Sequence, residues 1–411
     1  MCYNNNMSSK KAASENSECD SSKRGNAGEW GEVYAFFKLL GDPILYQCNA
    51  DLEKNGGKVE FNQIFRKPDK DSKPLCYVYD KRQSLWSVVR GGQEKVISAE
   101  VCNEQALILL NHIKDQTSSS KKHYKDSYKF LKEELLSAAL KADSKEKKDI
   151  ELTIIDKIAG LPITCGFSIK SLFGKNPTLF NASREACLSF KIVNMDTKTA
   201  DEIQGYSVKN YKYEEVERGW LTSIVTRIRE KGGQLVLYSL PDIFKANLEY
   251  IDTRMPEILS YYLLEGYTKE STDSKESTSR LSIRNINERI MDSNSALLTD
   301  NRKSSLYEYK IKKFLEAVAL GMKPGEPWGG LEDANGGYII VKSNGDLVSF
   351  LIYDRKLFLE YLFNYTKLDQ PSIGKLNKNK KEDAPPIGRI YEKNGELFIT
   401  LPLQIRFKLN G

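Results

Sequence analysis

The segment "DIELTIIDKIAGLPITCGFSIKS", residues 149–171, constrains the fold of this 411-residue chain more than any other. Both halves alternate apolar and polar residues, the period of half-buried strands. A Gly-Leu-Pro run between them supplies the turn. With that turn centred on Ala159 and Gly160, Ile150 faces Ile169, Leu152 faces Phe167 and Ile154 faces Cys165, which makes one apolar side. Asp149 then faces Lys170, and Glu151 faces Ser168, on the other side. A register slip of two residues keeps these faces and a slip of one destroys the core. The shared polar face is therefore a firmer expectation than the individual pairs.

Two acids and a lysine on one hairpin face admit two readings. One is a solvated cross-strand Asp–Lys pair, worth about 0.2–1 kcal/mol. The other is a metal-dependent phosphodiesterase. There an acid binds Mg²⁺ through oxygen, the donor that ion prefers, and a lysine holds the attacking water and offsets charge developing on phosphate. Such a site needs no histidine. The chain has only His112 and His123, both near the Ser/Lys-rich stretch "DQTSSSKKHYKDS", which reads as a loop. Its seven cysteines are scattered without a C-x-x-C pair, which excludes zinc ribbons and thioredoxin-type sites. Reduced thiols in a cytoplasm fit them best.

The composition, 40% hydrophobic and 29% charged, is that of a globular protein with room for two or three domains. Apolar runs such as "LPLQI" and "YIIV" are far shorter than the roughly 18–20 residues of a membrane span. The net charge of +6 permits nucleic-acid binding without arguing for it. Residues 1–24 are expected to be a disordered polar tail without a signal peptide. Order is expected to begin with a helix over "GEWGEVYAFFKLLG", stopped by Gly41-Asp42-Pro43. Strands follow at "PLCYVYD", "LWSVV" and "QLVLYS". Helices are expected at "AEVCNEQALILLNHIK", "DSYKFLKEELLSAALKA" and "EEVERGWLTSIVTRIREK", and one long helix over "PDIFKANLEYIDTRMPEILSYYLLEGY". "REACLSFKIV" is helix or strand. The expected class is α/β (α+β), with a mixed central sheet flanked by helices. The expected domains are a core over 25–267, a flexible link over 268–304, and a C-terminal strand-containing α/β extension over 305–411. In that extension "SNGD" and "KNGE" mark hairpins.

Asp149 followed by "S-I-K" resembles the active site of PD-(D/E)xK nucleases. More of the chain resembles one family, the HpaII-like type II restriction endonucleases. The matching stretches are "GNAGEWGEVYAFFKLL", "KDIELTIID", "GFSIKSLFGKNPTLFNAS", "YKIKKFLEAVALGM", "GGYIIVKSNGDLVSF", "YLFNYTKLDQPS" and "LQIRF", in order along the chain. The resemblance implies a PD-(D/E)xK nuclease core, Asp149 as metal ligand, Lys170 as catalytic lysine and Mg²⁺ as cofactor. Ser168 departs from the pattern, standing where an acid is usual. The missing carboxylate is then expected from Glu32 in the N-terminal helix, from Glu185, or from Glu151 across the hairpin. Glu32 and Glu29 equally fit a solvated helix face.

The resemblance further implies cleavage of double-stranded DNA at a short palindrome, with CCGG as the suggested site, leaving a 5′-phosphate and a 3′-hydroxyl. A cognate methyltransferase is implied as functional partner, and a homodimer follows from the need to cut two strands. The expected location is a bacterial cytoplasm, with no membrane partner. Candidate DNA contacts are Ser171, Asn181, Ser183, Lys367, Gln404 and Arg406. Asn181 and Ser183 are short donors on a loop, Ser183 serving equally as a helix cap. Gln404 and Arg406 alternate on a strand that would present both to a groove. Lys375, Lys378, Lys380 and Lys381 suit phosphates or plain solvation. The rivals are a repair or junction-resolving nuclease with the same hairpin, a DNA-binding protein without catalysis, and an RNA-binding protein.

Overall fold

Asn26 starts the first helix, α1 (Ala27–Gly41), through a capping box. Its Oδ1 accepts from the Gly28 and Glu29 backbone amides at 2.9 and 3.0 Å, and Glu29 Oε2 accepts from the Asn26 amide at 2.8 Å. Trp30, Val33, Phe36, Phe37 and Leu40 are fully buried, each worth roughly 1.5–3 kcal/mol of burial for side chains of this size. In this computed structural model the described residues are 24–69, 71–115, 121–142, 146–155, 160–174, 176–208, 219–268, 281–292, 303–378 and 384–408. Residues 1–23 of the expected tail, and 269–280 and 293–302 of the expected link, lie outside them.

The first half of the chain contributes β1 (Ile44–Cys48), β2 (Lys54–Arg66), β3 (Leu75–Asp80), β4 (Leu85–Arg90), β5 (Gln93–Ser98), β6 (Ile150–Ile155) and β7 (Pro162–Ser171). The second adds β8 (Thr178–Phe180), β9 (Cys187–Val193), β10 (Gln234–Ser239), β11 (Gly337–Val341) and β12 (Leu347–Leu351). Near the C-terminus lie β13 (Thr366–Leu368), β14 (Ile390–Lys393), β15 (Glu396–Pro402) and β16 (Ile405–Phe407). A nine-stranded sheet runs β1-β12-β11-β7-β6-β2-β3-β4-β5. It is mixed: β11 lies parallel to β7 and β12 parallel to β1, while the other neighbours are antiparallel. Two smaller sheets, β10-β9-β15-β14 and β13-β16-β8, complete the β structure.

Alternation along β11 shows how the central sheet is covered. Ile339 and Val341 join Ile150, Leu152, Phe167 and Ile169 in the core beneath α1. Tyr338 and Ile340 enter a second core with the later helices and the β9–β15 sheet. The hairpin around "SNGD" thus belongs to the central sheet, inserted between β7 and β1. Likewise β9 and β10 share a sheet with β14 and β15. The sheets do not follow the expected division into 25–267 and 305–411. Between those two parts, Ile283–Asp292 is helical within the expected link.

The hairpin register differs by two residues from the expected one. Ile150 pairs with Phe167, Glu151 with Gly166 and Leu152 with Cys165, so Glu151 does not face Ser168. The faces survive, because an even slip preserves side-chain alternation. Two helices are shorter than expected. The one starting at Lys125 ends at Glu133, and Leu136 takes a φ of 51°. The following carbonyls turn to side chains instead: Leu135 O accepts from the Tyr77 hydroxyl, Leu136 O from Arg90 and Ala139 O from Arg66. The long helix splits into Asp242–Ile251 and Met255–Gly266, with Pro256 in the first turn of the second. "REACLSFKIV" becomes β9 after a short 3₁₀ turn.

Candidate active site

Asp149 sits immediately before β6, and its amide donates to Phe167 O at 2.8 Å. Its Oδ2 accepts from the Ile169 amide at 2.6 Å and from the Ser168 hydroxyl at 3.2 Å. Ser168 therefore acts on Asp149 directly: it fixes the carboxylate that the hairpin presents. Two positions on, Lys170 places Nζ 5.7 Å from the centroid of the Tyr338 ring. Tyr338 pairs in register with Ser168 through the parallel β11–β7 ladder, and its hydroxyl donates to Ala319 O at 2.9 Å.

Glu32 comes from α1. That helix crosses the end of β7 so closely that a Cβ on Gly31 would lie 2.1 Å from Ser171 Oγ and 2.4 Å from Ser171 Cβ. The contact joins the neighbours of Glu32 and Lys170. Glu29, by contrast, is committed to the capping box and to Lys141 Nζ at 2.8 Å. Burial, reinforced by the charge of Asp149, pushes the Glu32 carboxyl well above the usual range. Burial also raises Asp149, against the opposing pull of Lys170 and its own hydrogen bonds. Lys170 shows the reverse balance. Burial alone would discharge it, but Tyr338, Asp149 and Glu32 together raise its pKa and keep it cationic. The acids acting on Lys170 are thus Asp149 and Glu32, with neither Glu151 nor Glu185 among them.

Arg66, at the end of β2, also acts on both carboxylates. Its guanidinium donates to Ser137 Oγ at 2.7 Å and to Ala139 O at 2.6 Å, and stacks over Phe36. With Lys67, Lys141, Glu146, Lys148 and Asp149 it lines a cavity of about 270 Å³. Lys147, next in line, is pushed down to about 8 by burial and by the charges of Lys170 and Lys323. Arg66, Lys147 and Tyr338 carry no local motif. The pairing of β11 with β7 brings Tyr338 to the site and the reach of β2 to β6 brings Arg66, while Lys147 arrives with the chain two residues before Asp149.

The remaining candidates are held differently. Glu151 lines the same cavity and pairs with Lys148 at 2.8 Å. Glu185 is exposed on the 3₁₀ turn Arg184–Ala186, beside Gly325. Ser171 is buried under α1, where its Oγ accepts from the Phe173 amide at 3.2 Å. The others gather around the β13-β16-β8 sheet. Asn181 is exposed just after β8, and Ser183 Oγ is buried without a hydrogen-bond partner. Lys367 and Arg406 are register partners, and Arg406 is ion-paired with Asp369 at 2.8 Å. Gln404 is buried instead of facing outward with Arg406. Lys375 and Lys378 are exposed, while Lys380 and Lys381 lie outside the described residues. His112 and His123 pack against Tyr124 and Tyr128.

Among the described residues no group of three or more His, Cys, Asp or Glu side chains forms a metal site. The cluster offers two carboxylates, Asp149 and Glu32, with a fixed cation at Lys170. Such a set can bind a hard cation through oxygen and hold a phosphate against the lysine.

The HpaII restriction endonuclease family matches residues 26–407. The type II restriction enzyme HpaII of Haemophilus parainfluenzae is 35% identical over 388 residues, covering 93% of this chain and 98% of that protein. No solved structure matches the chain, and no described helix is long and apolar enough to cross a membrane. The chain belongs to the HpaII restriction endonuclease family and is a type II site-specific deoxyribonuclease.

Proposed function

We propose that this enzyme cuts double-stranded DNA at the Asp149–Lys170 hairpin, with Glu32 as the carboxylate that compensates for Ser168. The observation carrying this reading is the convergence of three segments. α1 supplies Glu32, the approach to β6 supplies Asp149 and β7 supplies Lys170, each acting electrostatically on the others. Two half-buried carboxylates of raised pKa suit a divalent cation, whose charge would remove the mutual repulsion and draw off their protons. The donors are oxygen only. Mg²⁺ fits them, since it is commonly bound through one or two carboxylates and keeps several waters. When bound, the ion supplies Lewis acidity and a more acidic water.

The chain's own residues account for the other steps. The Ile169 amide and the Ser168 hydroxyl hold Asp149 in one orientation. Lys170, kept protonated by its anionic neighbours, serves as a fixed cation for the scissile phosphate and orients the attacking water; it is not the base. Attack on phosphorus and departure of the 3′ oxygen leave a 5′-phosphate and a 3′-hydroxyl, the leaving oxygen taking up a proton. The same reading includes a PD-(D/E)xK core, recognition of a palindrome such as CCGG, transient dimerisation to cut both strands, a protecting methyltransferase and a cytoplasmic location. What supports them is the relationship to the HpaII family. Digestion of DNA of known sequence, followed by sequencing of the ends, tests the reading. Discrete 5′-phosphorylated ends at one repeated motif support it, and nicking that follows DNA structure opposes it.

A further inference from the structure

Leu331 is 78% exposed, the most exposed large apolar side chain among those described. An exposed leucine alone needs no explanation. This one stands on a turn that is clamped from several sides. Asn247 Nδ2 donates to Lys323 O and Glu326 O, both at 2.9 Å, and its Oδ1 accepts from the Trp328 amide at 2.9 Å. The Trp328 indole donates to Leu331 O at 2.8 Å, and Arg355 holds Glu332 at 3.2 Å. Gly330, at φ +83°, makes the bend that lifts residue 331 outward.

The far side of the same loop is fastened to the active-site hairpin. Asn335 Oδ1 accepts from the Gly166 amide at 2.8 Å, and Asp333 Oδ2 from the Lys147 amide at 3.3 Å. Gly166 is two residues from Ser168 and Lys147 two from Asp149. Lys147 interacts with Lys170 and Asp149 on one side and with Lys323 and Asp333 on the other. A large exposed apolar side chain thus stands on a clamped loop that is hydrogen-bonded to the hairpin carrying Asp149 and Lys170. Because the loop is already ordered, inserting the side chain costs little conformational entropy.

We propose that Leu331 is a wedge that enters the base stack of the duplex next to the scissile phosphate and opens one base step as the DNA is seated. Leucine is among the side chains that part base steps in this way. The proposal rests on the Asp149–Lys170 site being where DNA is cut. Once the cleavage site is mapped, duplexes with a single 2-aminopurine walked across it and its flanks are bound by saturating enzyme in Ca²⁺. Fluorescence is expected to rise at one step with wild type and with Leu331→Met. The rise is expected to be lost with Leu331→Ala, whose duplex Kd, read by anisotropy, weakens by no more than about tenfold. Four results would overturn the proposal: no rise at any position with wild type bound, an undiminished rise with Leu331→Ala, complete loss of binding in that variant, or dissociation of an oligomer by the substitution, which would mean a second copy covers Leu331. Cleavage of the same duplexes in Mg²⁺ by wild type but not by Asp149→Asn reads the underlying site assignment separately.

Discussion

Replacing Gly31 with alanine tests whether the approach of α1 to β7 sets the catalytic geometry. The new Cβ would stand 2.4 Å from Ser171 Cβ and 2.1 Å from Ser171 Oγ. Rotation of Ser171 can move Oγ but not Cβ. The helix must therefore retreat by about 1 Å to reach ordinary carbon contact near 3.5 Å. Overpacking of this kind costs about 1–3 kcal/mol of stability. Glu32 rides on the same turn as Gly31, so the shift separates it from Asp149 and Lys170. A displacement of about 1 Å at reacting groups costs on the order of 10²-fold in rate. The assay is cleavage of a duplex with one mapped site over a Mg²⁺ series, with Ca²⁺ binding by calorimetry and a thermal melt alongside. The expected result is a folded protein with kcat lower by about two orders of magnitude and weaker cation binding. Adding Ser171→Gly removes the clashing atoms and should recover much of both. Wild-type cleavage and cation affinity in Gly31→Ala, or no recovery in the double variant, would refute the reasoning.

Further outcomes follow from the charges at the site. Lys170→Ala should keep duplex binding in Ca²⁺, seen by anisotropy, while the cleavage rate falls at least about 10²-fold. Compared side by side, Glu32→Gln should lose a similar factor and Glu185→Gln should cleave near the wild-type rate. The pH dependence has a definite sign. Glu32 and Asp149 have folded pKa values above their unfolded ones, so the folded state holds their protons longer. Metal-free stability should then decline as pH rises from the ordinary carboxylate range through the raised values. Thermal melts in chelator should show that decline, and Glu32→Gln should flatten it. Divalent cation, which binds the deprotonated form, should offset it. His112→Ala and His123→Ala should leave the pH–rate profile unchanged, since both rings pack on tyrosines.

Local chemistry was readable where one segment determines its own structure. The Asn26 cap and the apolar stripe of α1 announce that helix, and the "KNGE" turn forms with Asn394 and Gly395 both at positive φ. The polar face of the 149–171 hairpin was likewise evident, although its register was not. The described part of the turn begins only at Gly160, and faces alone cannot separate registers two residues apart. Long-range pairing was hidden. Nothing near "GGYIIVKSNGDLVSF" says that β11 slots in parallel beside β7, so Tyr338 could not be placed at the site. Arg66 ends a long strand with nothing to distinguish it from a surface arginine. Its partners are carbonyl and hydroxyl groups of 137–139, a segment whose spacing reads as helix. Glu32 was one of three carboxylates left open under the family resemblance, and the close approach at Gly31 is what sets α1 against the end of β7. Gln404 does not alternate with Arg406 on one strand: it lies in the link between β15 and β16, just before Ile405, and is buried there.

Mn²⁺ soaked into crystals of the enzyme with uncut duplex locates the bound cation most directly, by anomalous scattering. The account predicts a peak within ligand distance of Asp149 and Glu32, beside the phosphate that Lys170 faces. A peak held by Glu185, or by Glu151 without Glu32, would contradict it.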